Sequence, residues 1–414
     1  MKELSKYEKL REERAKIILS KEAAITKIKE GLFTVQSQTG IGSYRVEWNG
    51  EKWVCNCPDY IKNGTLRPCK HVLALKLHLE VGYVTIEGQE PTIAPVTYSQ
   101  DWANYNQAQS QEIELFDMFL SQLVSTIDES EQHMGRPRLK LNDELFCCIM
   151  KVYSQLSLRR AHCLYHQALQ RSQISHNPHY NAVSSILLKP EITPMLHRLV
   201  LLSAVPLAGI ETNFAVDSSG FRCSSFGMYC EQKHGNKRMR NWLKVHIATG
   251  VRTNIVTDVV ITEEHANDSP QFEKLVKRTA EGFDIDEIVA DKAYSSRKNH
   301  EIVKGLGGKA FIPFKENATG NSRGSKLWRK AFLFFQMHKE EFEEHYHQRS
   351  NAESTFSAIK KKFGETLKSR KRVAQENEML CKIIAYNITV LINAMFEFGI
   401  TPDFLKLNDI KKVI

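Results

Sequence analysis

Four polar side chains of different chemistry recur at helical spacing between Tyr346 and Lys360. This stretch contains neither glycine nor proline, and its polar and apolar residues alternate with the period of a helix. At about 100° per residue, Tyr346, Arg349, Glu353 and Lys360 fall within an arc of roughly 60° on one face. The spacing therefore predicts a helix that presents a phenol, a guanidinium, a carboxylate and an ammonium along one edge.

These four groups could hold a metal ion and a phosphate together. A carboxylate such as Glu353 can ligate a hard cation, which prefers oxygen ligands. Arg349 can form a bidentate contact with a phosphate, and Lys360 can add a point charge. Tyr346 can stack on a base or hydrogen-bond to a nucleic-acid backbone. The alternative is a surface helix with an Arg349–Glu353 ion pair, because these residues are four apart.

The pattern Tyr-x2-Arg-x3-Glu-x6-Lys resembles the signature of a large group of DDE transposases, those of prokaryotic insertion sequences. Tyr346, Arg349, Glu353 and Lys360 match that signature at every spacing. The resemblance covers roughly residues 205–400. It implies a DNA transposase with an α/β, ribonuclease-H-like catalytic domain, a mixed sheet flanked by helices, in which two aspartates join Glu353. In that family Tyr346, Arg349 and Lys360 would contact DNA and its phosphates.

Two aspartates follow apolar runs, as such a helix requires. Asp217 ends a run that begins at Asn213, and Asp291 ends another and is followed by Lys-Ala-Tyr. Taken alone, each would be interpreted as a turn-capping residue. The predicted order is three strands, helix, strand, helix, strand, helix, which is that of a ribonuclease-H-like fold. In the resemblance, Asp217 ends the first strand and Asp291 the fourth, so the catalytic set is Asp217, Asp291 and Glu353. The predicted strands are 213–217, 242–249, 254–262, 285–291 and 309–313.

Three carboxylates can hold two divalent ions roughly 3.5–4 Å apart. We therefore expect two Mg²⁺ (or Mn²⁺) ions at Asp217, Asp291 and Glu353, because Mg²⁺ binds through carboxylates, substrate phosphate and water. Such a pair would serve to activate water or a 3′-hydroxyl and to stabilise the leaving oxygen. The implied reaction is cleavage of DNA at the element ends, followed by strand transfer to target DNA.

A second set of residues has the spacing of a zinc site. Cys55, Cys57, Cys69 and His71 form Cys-x-Cys, eleven residues, Cys-x-His. Three thiolates and an imidazole complete a tetrahedral, structural Zn²⁺ site without an open position. The alternative is three buried cysteines that lie close together by chance. The pattern, over roughly residues 40–80, resembles the SWIM zinc finger, a module linked to nucleic-acid or protein binding that would depend on its metal to fold.

Composition and texture divide the chain into five parts. Gln, Asn, Pro and Ser dominate residues 88–111, whereas four helical patterns follow them. The layout of 157–188 is similar to a helix-turn-helix, although plain packing helices are the alternative. The predicted parts are an N-terminal region with the zinc finger (1–87), a linker (88–111), a helical, possibly helix-turn-helix, DNA-binding region (112–205), the catalytic domain (206–400) and a tail (401–414).

Charge and apolar content restrict the partners. The formal net charge of +9 is compatible with a polyanion, and residues 346–372 contain eight Lys or Arg against two Glu. That basic run fits a phosphate track, or else a solvated helix end. The two most apolar runs, 196–210 and 381–398, contain charged or amide side chains and do not predict a membrane span. The charged N-terminus indicates no signal peptide, so the nine cysteines are expected to be reduced.

These observations give one main hypothesis and two rivals. The main hypothesis is a cytoplasmic, nucleoid-associated prokaryotic transposase that binds double-stranded DNA, at element ends and target, as a homodimer. The first rival is a DNA-binding protein derived from such an enzyme that lacks catalysis. The second is a nuclease of the same fold that cuts DNA but does not join it.

Overall fold

The computed structural model describes residues 6–19, 24–29, 32–37, 43–50, 52–63, 68–80, 83–84, 92–93, 101–129, 138–223, 242–321, 324–402 and 404. The chain forms two compact units, Met1–Asp101 and Trp102–Ile414. Residues 88–91 and 94–100 of the predicted linker and nearly all of the predicted tail lie outside the described residues.

The first unit is built on a four-stranded antiparallel sheet of order β1-β2-β3-β4. At the turn between its third and fourth strands, Asn49 Oδ1 accepts the Lys52 N–H at 2.8 Å and Gly50 has φ +96°. The elements are α1 (Lys6–Leu19), β1 (Ile25–Lys29), β2 (Leu32–Gln36), β3 (Ser43–Trp48), β4 (Trp53–Cys55), α2 (Pro58–Asn63), α3 (Lys70–Glu80), β5 (Tyr83–Val84) and β6 (Thr92–Ile93).

The first helix packs into this unit. Ala15, Ile18 and Leu19 share one helical face and are buried in the core that also contains Val35 and Leu75. The helix ends at Leu19, and β1 begins at Ile25.

The second unit begins with five helices: α4 (Trp102–Val124), α5 (Leu141–Ser154), α6 (Leu158–Gln170), α7 (Tyr180–Ile186) and α8 (Ile192–Ala204). Helix α4 begins at Trp102, so the predicted linker is wrong over residues 102–111. That stretch has no glycine or proline, and its glutamines and alanines favour a helix once Ala108 is buried against the core.

A five-stranded mixed sheet follows, with the order β11-β10-β7-β8-β9. Strands β7, β8 and β9 are antiparallel, whereas β10 and β11 run parallel to β7. This is the predicted ribonuclease-H-like arrangement. The elements are β7 (Asn213–Arg222), β8 (Trp242–Gly250), β9 (Val256–Glu263), α9 (Ser269–Thr279), β10 (Glu287–Ala290), α10 (Arg297–Gly305) and β11 (Lys309–Phe311).

Four further helices complete the unit: α11 (Lys326–Met337), α12 (Lys339–Tyr346), α13 (Ser350–Phe363) and α14 (Arg372–Phe398). The predicted single helix from Tyr346 to Lys360 is in fact interrupted, because His347–Arg349 forms a 3₁₀ turn between α12 and α13. Two of these helices, α11 and α12, were not predicted between β11 and the catalytic-signature helix.

Helix α14 is the centre of packing in this unit. It contacts α4, α5, α8 and β9, and one hydrophobic core extends from Ala108 to Phe404. Among the described residues, α14 is the one helix long and apolar enough to cross a membrane, but 83% of its most apolar stretch is buried inside the protein. Its hydrophobicity is explained by packing.

Candidate active site and metal centre

Asp217 lies on β7, and Asp291 directly follows the parallel neighbouring strand β10. Because β7 and β10 pair with Val216 opposite Ala290, each aspartate comes directly after a paired residue. Asp291 follows the end of β10, as predicted. Asp217 lies inside β7, which continues to Arg222 because its pairing with β8 continues as well. The register therefore places the two carboxylates at neighbouring positions of one sheet.

Arg349 connects the carboxylate of Asp217, on the sheet, with that of Glu353, on helix α13. Its Nη1 donates to Asp217 Oδ2 at 3.1 Å, and its Nη2 donates to Glu353 Oε1. The Asp217 side chain is 17% exposed, whereas that of Glu353 is 57% exposed. The predicted i,i+4 pair is therefore present, but it is part of a three-residue bridge across two elements and not an isolated surface pair.

The pKa of Asp217 shows that the carboxylates affect one another. Burial raises this pKa, and the negative charges of Glu353 and Asp291 raise it further. The backbone N–H of Ser218, which donates to Asp217 Oδ1 at 2.9 Å, and the guanidinium of Arg349 lower it. Negative charge is thus concentrated at this edge of the sheet and offset by one arginine.

The other two residues of the predicted set lie close by: Lys360 contacts β7, and Tyr346 lies beside Arg349. Lys360 Nζ donates to Ser219 Oγ at 2.8 Å, and burial lowers its pKa. The Arg349 guanidinium lies 5.9 Å from the centre of the Tyr346 ring. Residues of β7 and α13, among them Asp217, Glu353 and Lys360, line a cleft of about 500 Å³. The structure thus brings the predicted set to one edge of the sheet, with Asp291 beside Asp217.

A buried polar network under this cleft was not predicted. Asp268 occupies the N-cap position of α9 but makes no capping hydrogen bond; its Oδ1 instead accepts from Lys244 Nζ at 2.8 Å and Ser218 Oγ at 3.0 Å. His246 is fully buried, and its Nδ1 lies 3.3 Å from both Asp268 Oδ1 and Tyr294 OH. The available signal was Lys244 and His246, two apart on one face of an apolar strand.

The four predicted zinc ligands lie together in the first unit. The potential ligand atoms of Cys55, Cys57, Cys69 and His71 are all within 4.8 Å of one another, and all four residues are buried. His71 Nδ1 lies 4.0 Å from the Sγ atoms of both Cys55 and Cys69. Ligands of a tetrahedral zinc ion are roughly 3.5–4 Å apart, given its bond lengths. The donor set and its spacing fit a closed Zn²⁺ site.

Local structure explains why these ligands meet. Cys55 ends β4, and Cys57 immediately precedes α2. Cys69 immediately precedes α3, and His71 lies in the first turn of that helix. The neighbouring thiols of Cys57 and Cys69, together with burial, raise the pKa of Cys55. A bound cation would replace the protons that such crowded thiols otherwise retain.

Two family models match parts of this chain. Residues 209–388 match the family model described as a transposase DDE domain, and residues 44–80 match that of the SWIM zinc finger. A cryo-EM structure of a piggyBac transposase synaptic complex with hairpin DNA aligns over 72% of this chain and 78% of that chain, with 11% identity and a TM-score of 0.34. A likeness of that size carries no weight here.

The ribonuclease-H-like sheet and the matched domain define the class of the protein as a polynucleotidyl transferase. Within that class it is a DNA transposase, with a DDE domain and an N-terminal SWIM zinc finger. The SWIM motif and its Cys₃His cluster support a structural Zn²⁺ ion, and the DDE domain implies a divalent metal.

Proposed function

We propose that Asp217, Asp291 and Glu353 are the catalytic carboxylates, and that the enzyme cuts the ends of an insertion sequence and joins them to target DNA. The observation that carries this proposal is the bridge from Asp217 through Arg349 to Glu353, with Asp291 beside Asp217 in the parallel register. A turn-capping role would not require the two aspartates to share one edge with a glutamate from a distant helix.

The donor set fits a divalent metal of the hard class. Asp217, Asp291 and Glu353 supply oxygen only, and burial, together with the negative charges of Glu353 and Asp291, raises the pKa of Asp217. We propose Mg²⁺ or Mn²⁺, as two ions, because such cations prefer carboxylates and leave positions for substrate phosphate. When bound, the ions would supply activation of the attacking hydroxyl and stabilisation of the leaving oxygen.

The remaining residues of the signature would hold the DNA. Arg349 has five N–H donors and uses one for each carboxylate, so donors remain for a phosphate oxygen. Lys360 is held over the cleft by Ser219, which fixes its ammonium within reach of a bound backbone. Tyr346 packs against Phe342, with ring centres 6.0 Å apart, and beside Arg349, so it can orient that guanidinium and contact the strand being cut.

We further propose that the protein is of prokaryotic origin and carries the Tyr-Arg-Glu-Lys signature of such transposases. It would act as a homodimer on double-stranded DNA in the cytoplasm, associated with the nucleoid. The helical elements at 158–186 would contribute to binding of the element ends. The formal net charge of +9 supports association with a polyanion such as DNA.

Strand transfer separates this function from its rivals. The full chain is incubated with Mg²⁺, a linear fragment that carries the DNA flanking its own gene, and a supercoiled target plasmid. A transposase gives both cut ends and joined products, and removal of the metal with EDTA stops both. A nuclease of the same fold would give cut ends alone, and a non-catalytic derivative would retard the fragment without cutting it.

A further inference from the structure

We propose that a second cleft in the transposase unit binds a phosphate of the DNA backbone. This cleft, the Lys151 cleft, is defined by Lys151, Ser157, Ser184, Lys368, Arg370 and Lys371, and has a volume of about 410 Å³. It lies where α6 and α14 begin and α7 ends. The proposal rests on the proposed function, since it adds an anchoring site for the same DNA.

The strongest evidence is a cation without a protein partner at the cleft. Lys151, in α5, is only 7% exposed and lines the cleft, yet its ammonium makes no hydrogen bond or ion pair with any residue that the structure describes. By contrast, the buried Lys382 donates to the carbonyl oxygens of Gly364 at 2.9 Å and Thr366 at 3.1 Å. The Nζ atom of Lys151 is not itself fully buried, so its charge is open to the cleft, where a phosphate could pair with it.

The charged side chains that line the cleft are all cations. They are Lys151, Lys368, Arg370 and Lys371, beside serines and apolar residues, and no aspartate or glutamate among the described residues lines it. Burial and the neighbouring charge of Lys151 lower the pKa of Lys368, whereas the charge of Glu378 raises it. The Glu378 carboxylate accepts the backbone N–H groups of Lys368 and Ser369, so it offsets only part of this positive charge.

Two helices also begin at this cleft. Helix α6 has Ser157 as its N-cap and α14 has Lys371, and neither side chain makes a capping hydrogen bond. Helix N-termini carry partial positive charge and free N–H groups, which favour phosphate. The uncapped hydroxyl of Ser157 and that of Ser184 offer further donors to the same anion.

The chain connects this cleft with the active site, which points to DNA and not to a free anion. Lys360 and Lys361 line the active-site cleft, and the same segment continues to Lys368 and Lys371 in the Lys151 cleft. A backbone presents phosphates at regular intervals, so one strand could occupy both clefts. A free phosphate would have no need of this continuity.

The test uses Lys151→Met in the full chain and a duplex of arbitrary sequence, because phosphate contacts do not depend on sequence. Affinity is titrated at several salt concentrations. We expect weaker binding, and a decrease of about one in the slope of log affinity against log salt. Lys151→Arg, which keeps the charge, should keep the slope of the unmodified protein.

Lys382→Met is the matched control, since it removes a buried lysine that already has partners. It should lower the unfolding temperature and leave the salt slope unchanged, whereas Lys151→Met should not lower the unfolding temperature. If the salt slope of Lys151→Met is unchanged while DNA binding by the unmodified protein depends on salt, the proposal for the Lys151 cleft is overturned. The proposed function would not be affected. Failure of the unmodified protein to bind DNA would instead contradict the proposed function.

Inorganic phosphate, added without DNA, separates the two sources of the anion. We expect it to protect the unmodified protein against thermal unfolding less than the duplex does at equal phosphate concentration. Equal protection, absent in Lys151→Met, would assign the cleft to a free anion and overturn the DNA assignment.

Discussion

At the scale of single residues, Arg349 has the most informative position. It is four residues before Glu353, as the helical spacing predicts, and it also reaches Asp217 on the central strand. A surface ion pair alone would contribute on the order of 0.5 kcal/mol or less. An arginine placed between two carboxylates instead offsets the negative charge of both, and in the proposed function it would also bind a phosphate.

Replacement of Arg349 or Lys360 by alanine tests this role. If both side chains bind phosphate, each substitution weakens binding to DNA of any sequence, and the salt slope falls by roughly one for each phosphate that is no longer bound. Affinity is titrated at several salt concentrations for both variants. Unchanged slopes in both, with only a small decrease in stability, would leave the residues as surface ion-pair partners.

The sequence predicted which residues would lie close together where local spacing determines it. Arg349 and Glu353 meet because they are one helical turn apart, and Asp291 follows a strand. The network of Asp268, His246 and Ser218 could not be derived in this way, because its members come from different elements and meet only through the sheet. Asp268 occupies an N-cap position, yet its carboxylate accepts from Ser218 and makes no capping hydrogen bond.

At the scale of elements, the turn at His347–Arg349 shows what periodicity cannot detect. Apolar residues continue at helical intervals through this stretch, so the sequence predicts one helix, whereas the backbone tightens between α12 and α13. The effect on the site is small, since a 3₁₀ turn still points successive residues around an axis. Arg349 therefore retains its contact with Glu353.

The zinc finger is the element whose stability should depend most on a ligand. We expect one Zn²⁺ per chain in the unmodified protein, and loss of that ion in a Cys55→Ser/Cys69→Ser double variant, together with loss of structure around β4 and α3. Metal analysis of the purified protein measures the ion. Cys163→Ser, at an exposed cysteine, is the control and should keep the zinc. Unchanged zinc in the double variant would contradict the ligand assignment.

At the scale of the whole molecule, the helices before the sheet and the sheet itself share one core. Residues from Ala108 to Phe404 belong to a single hydrophobic cluster around α14. The sequence indicated a helical region at 112–205 and a catalytic domain at 206–400, because the pattern of apolar residues changes from helical to strand-like spacing. It could not show that α14 packs against both, since that packing joins residues far apart in sequence.

This shared core contains histidines that should make the fold sensitive to acid. Burial lowers the pKa of both His246 and His300 from 6.5 to about 4. The unfolded chain therefore binds more protons between pH 6.5 and about 4, so stability is retained above 6.5 and falls as the pH decreases through this window. Denaturant titrations at several pH values measure the free energy of unfolding.

His300→Phe is the variant that isolates one of these groups. Its ring can remain packed between Phe314 and Trp328, with which the histidine already makes ring contacts. We expect a smaller loss of stability on acidification than in the unmodified protein. His265→Gln, at an exposed histidine, should behave like the unmodified protein. The same acid sensitivity in His300→Phe would exclude this histidine as its source.

The central claim is that Asp217, Asp291 and Glu353 act together on DNA. Cleavage of the fragment that carries the gene's own flanking DNA is measured in Mg²⁺ for Asp217→Asn, Asp291→Asn and Glu353→Gln, with binding to the same fragment measured in parallel. We expect each substitution to abolish cleavage while binding survives, since most phosphate contacts would lie on other residues. A variant that cleaves at a near-normal rate would remove its residue from the catalytic set and contradict the claim.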